Sequence, residues 1–229
     1  MKQDKTKKLY IIHGWTYSIE PWAKTLKLLS EKYRINVEML HVPGLTDPSK
    51  KVWTIDDYVR WADTLLPDGC IALGHSNGGR ILMNLLVKKP QKLGHLILLD
   101  SAGVYEESFK RNLLRATSRL FAPLKNIKIL RRLVHKFIGA SDYERAPENM
   151  KKTLTNMLDS DRDLDPSKIT VQTDILWGEL DKITPSKHAE KLHQQIPNSK
   201  LQFFPGWTHA PYISDPSGLA KAINQVIEG

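Results

Sequence analysis

The sequence contains one cysteine among 229 residues and no apolar run long enough to cross a membrane. A single thiol cannot pair within the chain, so no internal disulfide is possible, and we expect Cys70 to be a buried, unreactive thiol in an apolar strand. The apolar run behind the basic N-terminus, Leu9 to Ile12, ends after four residues and is too short for a signal peptide core. We therefore expect a cytoplasmic protein.

Acidic residues are absent from the segment 108–141, which carries nine basic side chains. The rest of the chain holds 25 basic and 25 acidic residues, so this basic segment accounts for the entire net charge of +9. Its members are Lys110, Arg111, Arg115, Arg119, Lys125, Lys128, Arg131, Arg132 and Lys136. A charge excess confined to one segment indicates a part of the molecule with its own role.

Short apolar runs alternate with amphipathic stretches over most of the chain. The composition, 41% hydrophobic and 26% charged with no low-complexity linker, is that of one globular domain. Such alternation predicts an α/β fold, in which a mostly parallel sheet is flanked by helices. Strands are predicted at 8–13, 35–41, 70–75, 95–100, 172–177 and 200–204, and helices at 20–33, 55–66, 77–88, 185–195 and 216–227.

The alternation breaks once, between Ala102 and Thr170, where about seventy residues separate two strands that one helix would otherwise connect. Apolar stripes at helical spacing in 113–121 and 127–138, and a third helix that opens at Pro147, predict a helical insertion. Residues 104–170 are therefore expected to form a cap, and residues 1–103 and 171–229 the core of the domain.

One short motif favours nucleophilic chemistry. The apolar run 70–73 leads into Gly74-His75-Ser76-Asn77-Gly78, and a helix-like stretch follows. A serine at a sharp turn between a strand and a helix occupies a strained backbone conformation that exposes its hydroxyl, while the flanking glycines prevent backbone clashes. Ser76 is therefore the candidate nucleophile.

A serine hydroxyl needs a base to remove its proton, and the base needs a carboxylate to hold its orientation. Two later strands end on suitable residues, because Asp181 follows one and His209 follows the next. We predict His209 as the base and Asp181 as the acid. Asp100 and Glu179 are alternative acids, since both also lie at strand ends.

Stabilisation of a tetrahedral intermediate requires fixed hydrogen-bond donors for its oxyanion. The backbone N–H of Asn77 is one candidate, because it directly follows the nucleophile at a helix N-terminus, where the dipole favours negative charge. The second candidate is the backbone N–H of Trp15, in the turn after the first strand.

These motifs resemble those of the α/β-hydrolase superfamily, specifically its capped, carboxylesterase-like serine hydrolases. The resemblance rests on residues 13–15, 74–80, 99–103, 177–181 and His209, in the family's chain order of serine, acid and histidine. It implies a helical cap inserted after the strand that ends near Asp100. Family members usually have two strands before the one that ends at His13, whereas only residues 1–7 precede it here, so we expect a sheet of about six strands.

The resemblance implies hydrolysis of a carboxylic ester or thioester through an acyl-enzyme intermediate, with no cofactor and no metal. We expect the cap to shape an apolar pocket with candidates such as Tyr105, Leu113 and Trp207. Two alternatives remain open: a carbon-carbon bond hydrolase acting on a carboxylate-bearing, diketone-like substrate, and a non-catalytic ligand receptor or adaptor on the same fold.

The basic segment allows three interpretations. Its arginines, among them Arg111, Arg115 and Arg119, can simply solvate the outer face of a helix that covers the pocket. They can instead lie on an anionic membrane, or, together with Arg131 and Arg132, bind a carboxylate or phosphate on a small-molecule acyl substrate. Nucleic acid is disfavoured as a partner, because the segment has only three aromatic residues.

Overall fold

The computed structural model of the protein describes residues 7–105 and 146–229. Its centre is a six-stranded sheet in the order β2-β1-β3-β4-β5-β6, and every neighbouring pair of strands is parallel. The strands are β1 Lys8–Ile12, β2 Asn36–Leu40, β3 Cys70–His75, β4 Leu93–Leu99, β5 Gln172–Gly178 and β6 Ser199–Phe204. The predicted α/β fold and six-stranded sheet are confirmed.

The helices connect the strands as predicted. They are α1 Ala23–Lys27, α2 Ile55–Leu65, α3 Asn77–Lys88, α4 Glu148–Ser160, α5 Lys187–Gln195, α6 Pro211–Ser214 and α7 Pro216–Glu228. The helix predicted at 20–33 has uneven winding, because a 3₁₀ turn at Glu20–Trp22 precedes α1 and a wider π turn at Leu28–Lys32 follows it. The short helix α6 was not predicted, since four residues are too few to show a periodicity.

Apolar side chains from alternate strand positions pack on opposite faces of the sheet, as the period of a strand requires. In β1, Leu9 and Ile11 contact α1 and α7, whereas Tyr10 and Ile12 face the cluster formed by α2, α3 and α5. Helices therefore cover both faces, and the carboxyl ends of the parallel strands meet along one edge. That edge is where ligands bind in open α/β sheets.

Helix α2 begins at a reciprocal cap. The Thr54 side chain accepts a hydrogen bond from the Asp57 N–H, and the Asp57 carboxylate accepts one from the Thr54 N–H. Two of the unpaired N–H groups at the helix end are thereby satisfied. This cap fixes the start of a helix that packs on α3, the helix that follows Ser76.

Helix α4 confirms the predicted helix at Pro147 and packs against the chain before α2. The Asn149 side chain donates to the Ser49 carbonyl at 3.0 Å, the Asn156 side chain donates to the Trp53 carbonyl at 3.0 Å, and the Trp53 N–H donates to Thr153 Oγ1 at 2.9 Å. The stripes predicted at 113–121 and 127–138, and with them the basic segment, lie outside the described residues.

Within residues 7–105 and 146–229, no helix is both long and apolar enough to span a bilayer.

Candidate active site

Ser76 sits at the junction of β3 and α3 with a φ of +50° and a ψ of −116°. A positive φ is rare outside glycine and costs about 1–3 kcal/mol, so strand, turn and helix together must hold this residue in place. They do so partly through the backbone, because the Ser76 N–H donates to the Leu99 carbonyl and the Ser76 carbonyl accepts from the Ala102 N–H. The turn also requires glycine at position 78, because a Cβ atom on Gly78 would collide with the Ile12 carbonyl oxygen.

A chain of hydrogen bonds runs from Ser76 to a carboxylate. The Ser76 hydroxyl oxygen lies 3.0 Å from His209 Nε2, and His209 Nδ1 lies 2.7 Å from Asp181 Oδ2. Three residues from three different strand ends thus form one continuous chain.

Asp181 is held as an ionised carboxylate. Its Oδ1 accepts the backbone N–H groups of Ile183 at 2.7 Å and Thr184 at 3.0 Å, and its Oδ2 accepts the Thr184 hydroxyl at 2.6 Å. Burial raises the pKa of Asp181, but the hydrogen bonds from His209 and Thr184 outweigh burial and place this pKa below its ordinary value. The carboxylate is therefore charged where it contacts His209.

The two alternative acids occupy different places. Asp100 is fully buried at the end of β4, and its Oδ1 accepts the Gly178 N–H at 2.8 Å. Glu179 is exposed to solvent. Of the three candidate acids, Asp181 is the one whose carboxylate contacts the His209 ring in the described part of the chain.

The turn after β1 lies directly against Ser76. A Cβ atom at Gly14 would come within 3.0 Å of the Ser76 Cβ and 2.8 Å of His75 Nδ1, so only glycine allows this approach. Trp15 directly follows Gly14 in this turn, and Asn77 is the first residue of α3. Neither the Trp15 N–H nor the Asn77 N–H donates a backbone–backbone hydrogen bond among the described residues. Their place in an oxyanion site stays a prediction.

His75 contacts the loop that carries His209. Its Nε2 lies 2.7 Å from the His209 carbonyl oxygen, which can only accept, so His75 carries its proton on Nε2. Burial, and after it the neighbouring His209, lower the pKa of His75 to about 3. The ring packs edge-on against Trp22 and Tyr212. His75 is therefore neutral, and it holds the His209 backbone in place without taking up a proton itself.

A buried ion pair reaches the first turn of α3. Arg80 Nε and Nη2 donate to the two carboxylate oxygens of Asp161 at 2.6 and 2.9 Å, and Arg80 Nη1 donates to Asn77 Oδ1 at 2.6 Å. Both charged side chains are less than one-tenth exposed. The pair therefore links the residue after α4 to the residue after Ser76.

Of the predicted pocket residues, Tyr105 is half-buried near the end of the first described range. Its carbonyl oxygen accepts a hydrogen bond from Lys191 at 2.7 Å, and its ring lies 5.6 Å from the Arg162 guanidinium. Leu113 lies outside the described residues, as do Arg111, Arg115, Arg119, Arg131 and Arg132.

Trp207 is buried in the apolar core, and its predicted place in a pocket wall stays a prediction. Its ring stacks on Phe204 with centroids 3.8 Å apart, and its Nε1 donates to Asp215 at 3.0 Å. It belongs to the apolar cluster on the α1 and α7 face of the sheet. The structure therefore gives Trp207 a packing contact and shows no contact between it and Ser76.

No three histidine, cysteine or acidic side chains converge on a possible metal site in the described ranges. The aspartates of 159–165, which alternate like the start of a calcium loop, include Asp161, whose carboxylate is occupied by Arg80.

Comparison with known proteins agrees with this architecture. A family model described as "Alpha/beta hydrolase family" matches residues 9–222. A pimeloyl-[acyl-carrier protein] methyl ester esterase of Legionella pneumophila is 25% identical over 230 residues, covering 96% of this chain and 95% of the relative.

Two solved structures show the same fold. A putative lipase from Acinetobacter baumannii has a TM-score of 0.71 and 20% identity, covering 98% of this chain and 85% of the lipase chain. A meta-cleavage product hydrolase from Pseudomonas fluorescens has a TM-score of 0.63 and 16% identity, covering 97% of this chain and 90% of that chain.

Proposed function

The chain belongs to the alpha/beta hydrolase family, and we propose that it hydrolyses a carboxylic ester through an acyl-enzyme intermediate on Ser76. The observation that carries the proposal is the hydrogen-bonded chain from the Ser76 hydroxyl through His209 to Asp181. This is the arrangement of a nucleophile, a general base and an orienting acid. The esterase among the relatives supports the choice of an ester over other acyl compounds.

In the first half-reaction, His209 Nε2 takes the Ser76 hydroxyl proton while Ser76 Oγ attacks the ester carbonyl carbon. The developing imidazolium is stabilised by Asp181, which accepts the Nδ1–H at 2.7 Å. The backbone N–H groups of Trp15 and Asn77 donate to the oxyanion of the tetrahedral intermediate. Each such donor is worth about 2.7–4 kcal/mol in a well-formed site.

Collapse of this intermediate breaks the bond to the leaving alkoxide, which takes the proton from His209 Nε2 and departs as an alcohol. In the second half-reaction, His209 removes a proton from a water molecule that attacks the Ser76 acyl ester. A second collapse returns the proton to Ser76 Oγ and releases the carboxylic acid. The cycle needs only the chain, the ester and one water molecule.

The cap proposed at 104–170 would close over this site. Its described part, from Ala146 onward, packs on the chain before α2 and forms the buried ion pair between Asp161 and Arg80. Tyr105, half-buried where the cap begins, is the candidate pocket residue within the described ranges. We expect the cap to set the accepted acyl length.

The basic segment 108–141 supports the proposal that the substrate carries a negative charge. Arginine binds carboxylate and phosphate groups through two parallel hydrogen bonds, so a basic cap can favour an anionic acyl chain or an anionic carrier of that chain. The relative named as an esterase of a carrier-bound acyl ester fits the same idea. Binding of the segment to an anionic membrane is the competing proposal.

A second candidate function is carbon-carbon bond hydrolysis of a carboxylate-bearing, diketone-like substrate. The basic segment favours it, because such a substrate offers the anion that arginines bind. Thioester hydrolysis uses the same three residues and is tested alongside it. A non-catalytic receptor on this fold would keep the pocket but show no turnover.

The test is a panel of 4-nitrophenyl esters of increasing acyl length, with and without a terminal carboxylate, together with one thioester and one diketone acid. We expect turnover of the esters, and a loss of at least about a thousandfold in kcat for Ser76→Ala. Ser199→Ala is the matched control, because Ser199 begins β6, at the end of the strand opposite the loop that carries His209, and its hydroxyl donates to the Ile196 carbonyl. Ester hydrolysis that survives in Ser76→Ala would contradict the proposal.

The role of the basic segment is tested with Arg111, Arg115 and Arg119 changed together to glutamine. A carboxylate-binding cap predicts a higher KM for the carboxylate-bearing esters and an unchanged KM for the neutral ones. A membrane-binding cap predicts instead that the wild type sediments with anionic liposomes at low salt, that salt releases it, and that the variant stays in solution.

A further inference from the structure

Asp100 is a buried carboxyl that the proposed reaction does not use. It is 0% exposed, at the end of β4, with a φ of +43° that only a tightly determined turn allows a non-glycine residue. Its Oδ1 accepts the Gly178 N–H at 2.8 Å. Its Oδ2 has no hydrogen-bond partner among the described residues. A charged Asp100 would therefore leave one carboxylate oxygen buried and unsatisfied, which is costly.

Asp181 lies beside this carboxyl, and two further residues hold the pair together. The Thr184 hydroxyl is 3.1 Å from the Asp100 carbonyl oxygen and 2.6 Å from Asp181 Oδ2. Gly178 donates its N–H to Asp100 and accepts the Asp181 N–H at 3.2 Å. The charge of Asp181 raises the pKa of Asp100, so the two carboxyl groups interact, and a charged Asp181 disfavours a second charge on Asp100.

Asp181 is the member of the pair that keeps its charge. Four hydrogen bonds reach its two oxygens, from Ile183, from the backbone and hydroxyl of Thr184, and from His209. Asp100 receives one hydrogen bond to its carboxyl group. The proton therefore belongs on the carboxyl with fewer donors.

We propose that Asp100 is a protonated carboxylic acid in the resting protein and directs its proton from Oδ2 toward Asp181, which makes it a positioning residue for the triad acid. The proton turns an unsatisfied acceptor into a donor, and the pair then carries one negative charge on the member that contacts His209. This inference rests on the proposed roles of Ser76, His209 and Asp181.

The surrounding charges agree with a neutral Asp100. Burial raises the pKa of Asp100 well above its ordinary value, the Gly178 N–H lowers it, and the charge of Asp181 raises it again. Tyr212 is a further titratable group whose electrostatics involve Asp100. Burial chiefly raises the pKa of Tyr212 to about 12, so this side chain is neutral and supplies no cation that would hold Asp100 ionised.

The protonation state is measured directly, without any activity assay. Protein labelled with ¹³C at the aspartate carboxyls is titrated by NMR, and Asp100→Asn identifies the Asp100 resonance. We expect this resonance to titrate above the range of ordinary aspartates. A midpoint near or below pH 4 would overturn the proposal.

The positioning role is measured with two substitutions at Asp100. Asp100→Asn keeps an acceptor for Gly178 and a donor toward Asp181, whereas Asp100→Leu removes both. We expect kcat of the asparagine variant to exceed that of the leucine variant by about tenfold to a hundredfold, the worth of a hydrogen bond to a charged group. We also expect the acidic limb of the pH profile of kcat/KM to move in the leucine variant and not in the asparagine variant.

Asp181→Asn separates this proposal from its rival, in which Asp100 is the charged acid. The proposal predicts a far larger loss of kcat in Asp181→Asn than in Asp100→Asn, and the reverse order would overturn it. If the wild type hydrolyses nothing in the ester panel, the proposed function fails, while the NMR titration still decides whether Asp100 carries the proton.

Discussion

The buried ion pair between Arg80 and Asp161 offers a prediction whose magnitude follows from the structure. The perturbation is Arg80→Met, which keeps an unbranched side chain of similar length but removes all three hydrogen bonds that Arg80 donates. Asp161 would then be left as an uncompensated charge in a nearly solvent-free position. The matched variant, Arg80→Met with Asp161→Leu, removes both charges together.

Breaking a buried pair by removing one partner costs about 3–5 kcal/mol, whereas replacing both partners by apolar residues is often neutral or stabilising. A protein of this size loses about 2–4 °C in Tm for each kcal/mol. We therefore expect the single variant to melt roughly 6–20 °C below the wild type and the double variant to regain most of that loss.

The assay is thermal and urea-induced unfolding followed by circular dichroism, together with ester hydrolysis. Both variants remove the Arg80 hydrogen bond to Asn77, so we expect a similar reduction of kcat in both, even though their stabilities differ. This separates the ion pair's effect on stability from its effect on the residue after the nucleophile. A loss below about 1 kcal/mol in Arg80→Met, or a double variant no more stable than the single one, would refute the reasoning.

Three further predictions concern the site and its pH dependence. Thr184→Val removes the hydroxyl that donates to Asp181 Oδ2 at 2.6 Å, so we expect kcat/KM to fall by about tenfold to a hundredfold; Thr184→Ser should retain most of the activity, and equal rates for both variants would argue against a role for the hydroxyl. Gly14→Ala places a Cβ within 3.0 Å of the Ser76 Cβ, so the turn that carries Trp15 must move, and we expect kcat to fall by about 10²–10³-fold; an unchanged kcat would exclude this turn from the oxyanion site. The pKa of His13 is lowered to about 4 and that of His75 to about 3, in both cases chiefly by burial. The unfolded chain therefore takes up protons that the folded protein excludes, and stability falls as the pH drops from about 6.5 toward 4, by about 1.4 kcal/mol per pH unit for each histidine. Urea unfolding at pH 7 and pH 4.5 should show a smaller loss for His75→Gln than for the wild type, and equal losses would contradict this account.

The sequence predicted the sheet and the place of Ser76 because both depend on local signals. The apolar run before Gly74 and the helical stretch after Gly78 are contiguous, and the positive φ of Ser76 follows from the junction between them. The positions of Asp181 and His209 could also be predicted, because parallel strands bring their carboxyl ends to one edge of the sheet.

Contacts that join distant parts of the chain gave no such signal. Arg80 and Asp161 are 81 residues apart, and nothing in either local sequence predicts that they pair. His75 reaches the His209 carbonyl across 134 residues. Thr184 lies three residues after Asp181, yet its hydroxyl gains a role only because the loop folds back on the carboxylate.

Trp207 shows what the sequence does not reveal about a predicted pocket residue. Its ring stacks on Phe204 in the core, and this packing contact has no signal in the local sequence. The side chain of an aromatic residue that is close to a site in sequence can point toward the site or away from it. The backbone turn at 205–206 determines the direction of the Trp207 side chain.

The most direct test of the central claim is covalent labelling with a fluorophosphonate, which reacts with activated serine hydroxyls. Peptide mapping by mass spectrometry would locate the adduct. The account predicts that Ser76 is modified in the wild type and in Ser199→Ala, and that labelling is lost in Ser76→Ala and strongly slowed in His209→Ala. A folded wild-type protein in which Ser76 stays unmodified, or in which labelling is as fast without His209, would contradict it.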